Sequence, residues 1–360
     1  MKDLSQFNVK VVHPYIKNRL NEFDYGLYPK QHYWGADIFF KNTKNKSLFS
    51  QISNFNIPSW IDKIINRLIF DGRTSISQEI DFFHMSNYCD FVYSVSGPSS
   101  FLFNTKKTKV FSWVFSEPPS NSSYFSPYNK RNLSKHSGFL CLTKKAEKFF
   151  SHFAPSKFIP WCVDMELFDG KPSEEKAHKP FFLANGKTGR DYNTLIEAAH
   201  GTKADIKIIG PENQRPVNPP SNVHWINTSC SPSDQAIDYP TLKKWYAQSS
   251  GICIPLSGNA DDTCGYTNML EAMAMRKPIL MTRSGCLDID PESRNFGLLI
   301  EPHDPHAWTT SMNRIIDNKS FANSCGETGR KIVEREFTID RFNKDVESFI
   351  LGELKKSQNL

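Results

Sequence analysis

The amino-acid sequence predicts an α/β protein built from two domains. The chain has 360 residues, which is too long for one ordinary hydrophobic core and suits two domains of common size. Hydrophobic residues make up 39% of the chain and charged residues 23%, a balance typical of globular proteins. In the C-terminal half, short apolar runs alternate with helical patterns. This alternation indicates a parallel sheet with helices on both faces.

Hydrophobic periodicity places the elements of the C-terminal half. The helix predicted at 239–248, for example, has Leu242, Trp245 and Tyr246 as its apolar stripe. The other predicted helices are 192–200, 268–275 and 340–355. The predicted strands are 180–184, 206–210, 223–226, 251–256, 278–282 and 296–300.

The N-terminal half gives a weaker pattern, especially between residues 42 and 86. Strands are predicted at 8–12, 91–96, 109–115 and 138–142, and a helix at 144–150. A further helix at 60–70 carries an apolar face that includes Trp60 and Ile64, and we expect it to be buried. Peripheral contact with a membrane surface is the alternative for this helix.

The domain boundary is predicted in the Pro- and Gly-punctuated stretch 160–180. We therefore expect an N-terminal domain at 1–167 and a C-terminal domain at 168–339. The last helix, 340–360, is expected to return to the N-terminal domain.

Charge and cysteine content exclude several classes of protein. The net charge of +6 is mild and does not suit a nucleic-acid-binding protein. The eight cysteines form neither a C-x-x-C pair nor a zinc-type cluster with histidine, so we expect reduced thiols and no metal. Residues 1–10 lack an apolar signal core, and no apolar run approaches the ~20 residues that span a bilayer. A cytoplasmic location is expected.

The first segment with candidate ligand-binding residues is 261–282. It follows a predicted strand, turns through Gly265 and begins a helix. The N-terminus of a helix offers free N–H groups and a positive dipole end, which suit a diphosphate or sugar hydroxyls. Glu271 lies about one turn into this helix, where a carboxylate can accept hydrogen bonds from ribose hydroxyls. A solvated helix glutamate is the alternative interpretation of Glu271.

A second segment, 185–198, places Gly186, Lys187 and Arg190 in a polar turn between a strand and a helix. Fixed cations in such a turn can stabilise the negative charge of a bound anion. The alternative is that Lys187 and Arg190 are ordinary loop cations.

Together, these segments resemble the family 4 retaining glycosyltransferases. Those enzymes carry E-x-F-G, an apolar stretch and then E-A-M-A-x-G-x-P-V-I-x-T. In this chain, Thr263-Cys264-Gly265 precedes Glu271-Ala272-Met273-Ala274 and then Lys277-Pro278-Ile279-Leu280. Thr263 stands where the family has its first glutamate, and Arg276 replaces the usual glycine. The runs at 160–168 and 296–302 also resemble family signatures.

The resemblance implies the GT-B fold, in which two Rossmann-like domains face each other across a cleft. It also implies that Glu271 holds the donor ribose and that Arg190 and Lys187 neutralise the pyrophosphate, with no cofactor and no metal. The remaining donor-binding positions implied are Gly186, Thr263, Cys264, Gly265, Tyr266 and Thr267.

The implied reaction is the retaining transfer of a hexose from a nucleotide sugar to a glycan, glycolipid or glycoprotein acceptor. GDP-mannose is the preferred donor and a UDP-hexose the next. Two alternatives stay open, a non-catalytic nucleotide-sugar-binding protein and a nucleotide-sugar epimerase.

The N-terminal domain is expected to supply the acceptor site. Gly26 lies in an early glycine-containing loop, and Ser96-Gly97 and Ser116-Glu117 follow predicted strand ends, where open α/β sheets bind ligands. Glu117 is a candidate contact to the donor sugar or base for the acceptor hydroxyl, and a surface carboxylate is the alternative.

Overall fold

The computed structural model divides the chain into two compact units. The N-terminal unit comprises Met1–Leu20, Gln31–Trp161 and Asp340–Leu360, and the C-terminal unit comprises Asn21–Lys30 and Cys162–Ile339. The structure describes residues 4–13, 16–40, 89–95, 97–98, 108–118, 127–175, 177–228, 237–258, 263–284 and 288–356, with the single positions 58, 60, 61, 64 and 80.

The N-terminal unit contains a parallel sheet. Its described strands lie side by side in chain order: β1 (Val9–Val12), β2 (Phe91–Ser94), β3 (Lys109–Val114), β4 (Gly138–Cys141) and β5 (Ser156–Phe158). Three helices before the second sheet are described from end to end: α1 (Leu20–Asp24), α2 (Pro127–Leu133) and α3 (Lys144–Phe150). Thr143 caps α3 by accepting a hydrogen bond from the backbone N–H of Ala146 at 3.1 Å.

The C-terminal unit contains a second parallel sheet. Its strands are β6 (Phe181–Asn185), β7 (Asp205–Pro211), β8 (Val223–Thr228), β9 (Gly251–Ile254), β10 (Ile279–Thr282) and β11 (Gly297–Ile300), in the spatial order β11-β10-β9-β6-β7-β8. Its helices are α4 (Tyr192–Ala198), α5 (Tyr239–Gln248), α6 (Tyr266–Ala274), α7 (Pro305–Asp317) and α8 (Lys319–Glu336). The carboxylates of Asp191, Asp238 and Asp304 cap α4, α5 and α7.

The last helix, α9 (Ile339–Lys356), packs within the N-terminal unit. Phe342 stacks on Trp113 of β3 with ring centroids 5.3 Å apart, and the amide of Asn343 donates to Asp37 at 2.7 Å. The burial and stacking of these two rings stabilise the packing of α9 against the first sheet.

The segment Asn21–Lys30 belongs to the C-terminal unit and includes Gly26. The backbone N–H of Lys30 donates to the carboxylate of Asp164 at 2.8 Å, and Tyr28 packs edge-on against Tyr239 at 5.1 Å. Asp164 also accepts from the N–H groups of Glu166 and Leu167 at 3.0 and 3.1 Å, so one buried carboxylate holds this segment in place.

The helix predicted at 60–70 is described only in part. Residues 60, 61 and 64 are helical, but Trp60 is 63% exposed and Ile64 is 50% exposed. The expectation that this face is buried is therefore wrong for these two side chains. An apolar stripe indicates an amphipathic helix, but it does not show which element packs against the apolar face. Among the described helices, none is long and apolar enough to cross a membrane.

Candidate functional site

The order of strands in the C-terminal sheet creates a switch point between β6 and β9. From β6 the chain builds outward through β7 and β8, then returns to the other side of β6 to add β9, β10 and β11. Open parallel sheets bind ligands beyond the carboxyl ends of the strands at such a point. The two loops that flank it are the one that follows β6 and the one that follows β9, which contain the segments singled out in the sequence.

Backbone hydrogen bonds join these two loops. Ser257 N–H donates to the carbonyl of Gly189 at 3.0 Å, and Asp191 N–H donates to the carbonyl of Pro255 at 3.1 Å. Residues Arg190 and Leu256 pair between these two bonds as an isolated antiparallel bridge. The pairing fixes the position of Arg190 relative to β9.

The side chain of Arg190 is buried, because only 9% of the residue is exposed. Its Nη1 donates to the carbonyl of Thr188 at 3.0 Å, and its Nη2 donates to the carbonyl of Asn185 at 3.4 Å and to Oδ1 of Asn268 at 2.6 Å. Nε is buried and has no hydrogen-bond partner among the described residues. A buried cation with an unused donor is suited to bind an anion.

Gly186 makes room for this guanidinium. Its φ of +150° is one that side chains rarely adopt, and a Cβ at this position would lie 2.5 Å from Nε and Nη2 of Arg190. The hydroxyl of Tyr192 donates to the carbonyl of Gly186 at 2.8 Å and holds the turn. Lys187 follows in the same loop and is half-buried; its contact with a donor stays a prediction.

The other loop opens helix α6 beside β9. Gly265 is the N-cap, with a φ of +90°, and a Cβ there would lie 2.7 Å from Cγ2 of Ile254. Only glycine combines this left-handed conformation with so close an approach to the strand. Thr263, Cys264 and Thr267 are half-buried around this N-terminus, and Tyr266 is buried. Helix N–H groups here face the switch point from the β9 side.

Glu271 is not the solvated helix glutamate that the alternative interpretation described. It is 1% exposed, and its Oε2 accepts a hydrogen bond from the hydroxyl of Tyr246 at 2.9 Å. Burial, together with the charge of Glu271, raises the pKa of Tyr246 well above its usual range, so the phenol stays protonated and donates. Burial of an unpaired charge is costly, and the fold of this unit provides Glu271 with a hydrogen-bond donor.

Arg276 lies at the C-terminus of α6, in a backbone position that suits glycine. Lys277 N–H donates to the carbonyl of Ala272 and Arg276 N–H to that of Met273, at 2.9 and 3.1 Å, which is the Schellman arrangement. Arg276 occupies its left-handed position with a φ of +56°. Arg330 donates to the carbonyl of Ala274 at 2.8 Å and adds a side-chain cap.

Lys277 anchors the end of helix α5, which carries Tyr246. Its ammonium donates to the carbonyls of Ala247 and Ser249 at 2.7 and 2.9 Å. Burial lowers the pKa of Lys277 to about 8. The residue therefore fixes α5 against the strand that follows α6.

The acceptor-side residues are only partly described. Ser96 lies outside the described residues; Gly97 has a φ of +93° and its carbonyl accepts from the hydroxyl of Ser94 at 2.8 Å. Ser116 and Glu117 are half-buried just beyond β3. Gly26 lies in the C-terminal unit. The roles of these residues in acceptor binding stay predictions.

Three polar residues of the site were not singled out from the sequence: Asn185, Tyr246 and Asn268. Tyr246 was assigned to the apolar stripe of its helix, and it does pack there, but its hydroxyl reaches Glu271. A useful signal was present, because a buried phenol nearly always requires a hydrogen-bond partner. Asn268 lies three residues before Glu271, on the same side of α6.

The chain was compared with known families, sequences and structures. Residues 192–318 match the family model described as Glycosyl transferases group 1. The match lies within the C-terminal unit. The match includes α4, β9 and the whole of α6, and therefore Asn268 and Glu271, while Arg190 lies just before it. No curated protein sequence matches the chain significantly.

Solved structures are similar over nearly the whole chain. The Anabaena protein Alr3699/HepE in complex with UDP-glucose has a TM-score of 0.64 and 10% identity, covering 96% of this chain and 100% of its own. A glycosyltransferase from Rickettsia africae has a TM-score of 0.62 and 14% identity, covering 97% and 99%. Sucrose-phosphate synthase from Thermosynechococcus elongatus has a TM-score of 0.58 and 16% identity, covering 86% and 82%. The predicted fold, α/β with two parallel-sheet Rossmann-like domains as in GT-B glycosyltransferases, is confirmed.

Proposed function

We propose that this protein transfers a hexose from a nucleoside-diphosphate sugar to a hydroxyl of a glycan acceptor, with retention of the anomeric configuration. The observation that carries the proposal is that buried Arg190 donates to Asn268 of α6, the helix that also carries buried Glu271, beside the switch point between β6 and β9. A cation and a carboxylate in this position match the two ends of a nucleoside diphosphate, which are its phosphates and its ribose hydroxyls.

The proposed role of Arg190 is to stabilise the leaving diphosphate. When the glycosidic bond to the donor breaks, negative charge develops on the phosphate oxygens, and a fixed guanidinium stabilises that charge without reorganisation. Nε of Arg190 is buried and has no hydrogen-bond partner among the described residues, so a phosphate reaches it only when the site opens at this atom. Lys187 and the N-terminus of α6 supply further positive potential, so we propose that no metal is required and that EDTA leaves turnover unchanged.

The proposed role of Glu271 is to accept hydrogen bonds from the ribose hydroxyls. Its carboxylate also accepts a hydrogen bond from the hydroxyl of Tyr246, which holds it in position. Glu271→Ala would remove the nearer acceptor of the buried phenol, which would then have Oδ1 of Asn185 at 3.5 Å, and would destabilise the unit. Glu271→Gln keeps an acceptor oxygen and is therefore the better variant for a binding measurement.

Donor identity is tested with two nucleotide sugars. The sequence resemblance favours GDP-mannose, whereas the similar structure of Alr3699/HepE holds UDP-glucose. Purified protein is incubated with each donor and with candidate oligosaccharide acceptors. Release of nucleoside diphosphate and the anomeric configuration of the product are then measured by chromatography and NMR.

We expect one donor to be consumed, with an α-linked product from an α-linked donor. Arg190→Met should slow turnover, and Arg190→Lys, which keeps the charge but not the planar fork, should lie between Met and wild type. An inverted product would contradict the proposed stereochemistry. A changed free nucleotide sugar without acceptor would indicate an epimerase instead.

Thr263 motivates a second candidate, a nucleotide-sugar-binding protein without turnover. This residue stands where the resembling enzymes carry a glutamate beside the donor sugar. It is half-buried just before the N-terminus of α6. Such a protein would bind the donor and release no sugar. Thr263→Glu should then raise donor hydrolysis or transfer above background, while a wild type that already turns over excludes this candidate.

A further inference from the structure

The loop that follows β11 carries a histidine in a backbone conformation that suits glycine. His303 has a φ of +59°, in the left-handed region that side chains rarely adopt. Its side chain is 70% exposed, so hydrophobic burial contributes little to offset the strain. A histidine at this position is therefore expected to make a specific polar contact.

That contact is with Asp191, the residue that follows Arg190 in the chain. Nδ1 of His303 lies 2.9 Å from Oδ2 of Asp191, whose side chain is only 14% exposed. A carboxylate only accepts hydrogen bonds, so the proton lies on Nδ1 and the imidazole donates. The bond joins the loop after β11 to the turn after β6, across 112 positions of the sequence.

The carboxylate of Asp191 also caps helix α4. Its Oδ1 accepts from the backbone N–H of Thr194 at 3.2 Å, and its Oδ2 accepts from the hydroxyl of Thr194 at 2.7 Å. These bonds hold Asp191 to its own helix, whereas the bond from His303 holds it to a different loop. The side chain of Asp191 is therefore fixed from two directions.

The loop after β9 holds the same turn through its backbone. Asp191 N–H donates to the carbonyl of Pro255 at 3.1 Å. The loop after β11 also approaches the loop after β9, since a Cβ at Gly258 would lie 3.3 Å from Cγ of Pro302. His303 therefore belongs to a group of three contiguous loops at the carboxyl ends of the strands, where open α/β sheets bind ligands.

We propose that His303 is a positioning residue of the donor site, which acts through Asp191 to hold the turn that carries Arg190. The inference rests on the proposed donor site. Without the hydrogen bond, the turn would leave its binding position for part of the time, and nucleotide affinity would fall in proportion to the time lost. A hydrogen bond of ordinary strength limits this loss to about fivefold.

The test measures affinity and stability separately in the full chain. Isothermal titration calorimetry uses UDP, or GDP if UDP does not bind, and urea unfolding is followed by circular dichroism. His303→Gly removes the donor and relieves the strained φ, so we expect about fivefold weaker binding with a urea midpoint no lower than that of wild type. A purely structural role would lower affinity and stability together.

Two further variants control for the loss of the imidazole. His303→Asn tolerates the left-handed conformation and keeps an N–H donor near the position of Nδ1, so it should bind within twofold of wild type. His306→Asn is the matched control. His306 is an exposed histidine in the first turn of α7, and the described hydrogen bonds of Asp191 do not include it. This variant should also bind within twofold of wild type.

The outcomes separate the role of His303 from the donor site. Weaker binding by His303→Gly at undiminished stability, with near-normal binding by His303→Asn and His306→Asn, supports the inference. Wild-type affinity in His303→Gly, or a loss that is equal in all three variants or accompanied by a lower urea midpoint, overturns it and leaves the donor site standing. Failure of wild type to bind either UDP or GDP overturns the donor site and the inference with it.

Discussion

Gly186→Ala adds a single methyl group, and this group displaces the guanidinium of Arg190. The added Cβ would lie 2.5 Å from two nitrogens of Arg190, whereas ordinary contacts are about 3.5 Å, so the guanidinium must move by about 1 Å. That movement breaks its hydrogen bonds to Thr188, Asn185 and Asn268, which together contribute about 2 to 3 kcal/mol. The unfavourable φ adds about 1 to 2 kcal/mol.

The expected loss from Gly186→Ala is therefore about 4 kcal/mol in the free energy of unfolding, with a fall in Tm of roughly 12 °C for a unit of this size. Urea unfolding followed by circular dichroism measures the first quantity. Affinity for UDP or GDP should fall at least tenfold as well, because the displaced guanidinium is the proposed ligand of the phosphates.

Gly258→Ala is the matched control for this variant. Gly258 lies in the same unit with a φ of +79°, and among the described residues a Cβ there would meet Pro302 alone, at 3.3 Å. It should cost about 1 kcal/mol, from backbone strain alone. The reasoning is refuted if Gly186→Ala is no less stable than Gly258→Ala and binds nucleotide as wild type does.

Three further predictions concern the scaffold of the site. Arg276→Gly should stabilise the protein by about 1 kcal/mol in urea unfolding, because glycine relieves the left-handed strain and the lost exposed ion pair with Glu327 is worth little. Asp164→Ala should destabilise by about 3 kcal/mol or more in the same assay, because three backbone N–H groups lose their acceptor. Lys277→Met should change the pH dependence of stability. The unfolded chain binds more protons between the folded pKa of about 8 and the unfolded value of 10.5, so stability rises with pH in that window. Relative to the variant, wild type should gain about 2 kcal/mol between pH 7.5 and 9.5.

Each of these predictions has its own control. Arg276→Ala loses the ion pair and keeps the strain, so a gain in stability equal to that of Arg276→Gly would contradict the backbone argument. Asp164→Asn retains one acceptor oxygen and should lose less than Asp164→Ala; equal losses would mean that the charge, not the hydrogen bonds, is what matters. For Lys277, parallel pH curves in wild type and Lys277→Met would show that the ammonium is not buried.

Local signals in the sequence were sufficient to predict most of the C-terminal unit. Helix 239–248 was placed at its observed bounds, and the strands after it within two residues, because each has a clear period and a polar turn beside it. Arg190 and Glu271 came from short motifs. Local pattern could not show that Arg190 donates to Asn268 or that Tyr246 donates to Glu271, since each bond joins residues far apart in the sequence.

Helix α8 shows why the remaining elements escaped prediction. It contains Gly326 and Gly329, which normally weaken a helix by about 1 kcal/mol each and obscure its pattern. The structure supplies the reason for both: a Cβ at Gly326 would collide with the carbonyl of Arg276, and one at Gly329 would lie 3.2 Å from Met273. These glycines allow α8 to approach α6 closely, and a contact so distant in sequence leaves no local signal.

The most direct test of the donor site is thermal unfolding of the purified protein with and without UDP, GDP, ADP and dTDP and their sugars. A nucleotide at ~100 times its dissociation constant adds about 2.7 kcal/mol to the folded state, which is a readable shift in Tm. We predict that one nucleotide family raises the Tm of wild type and that Glu271→Gln weakens this shift. If no nucleotide shifts the Tm of wild type, the donor site built on Arg190 and Glu271 is contradicted.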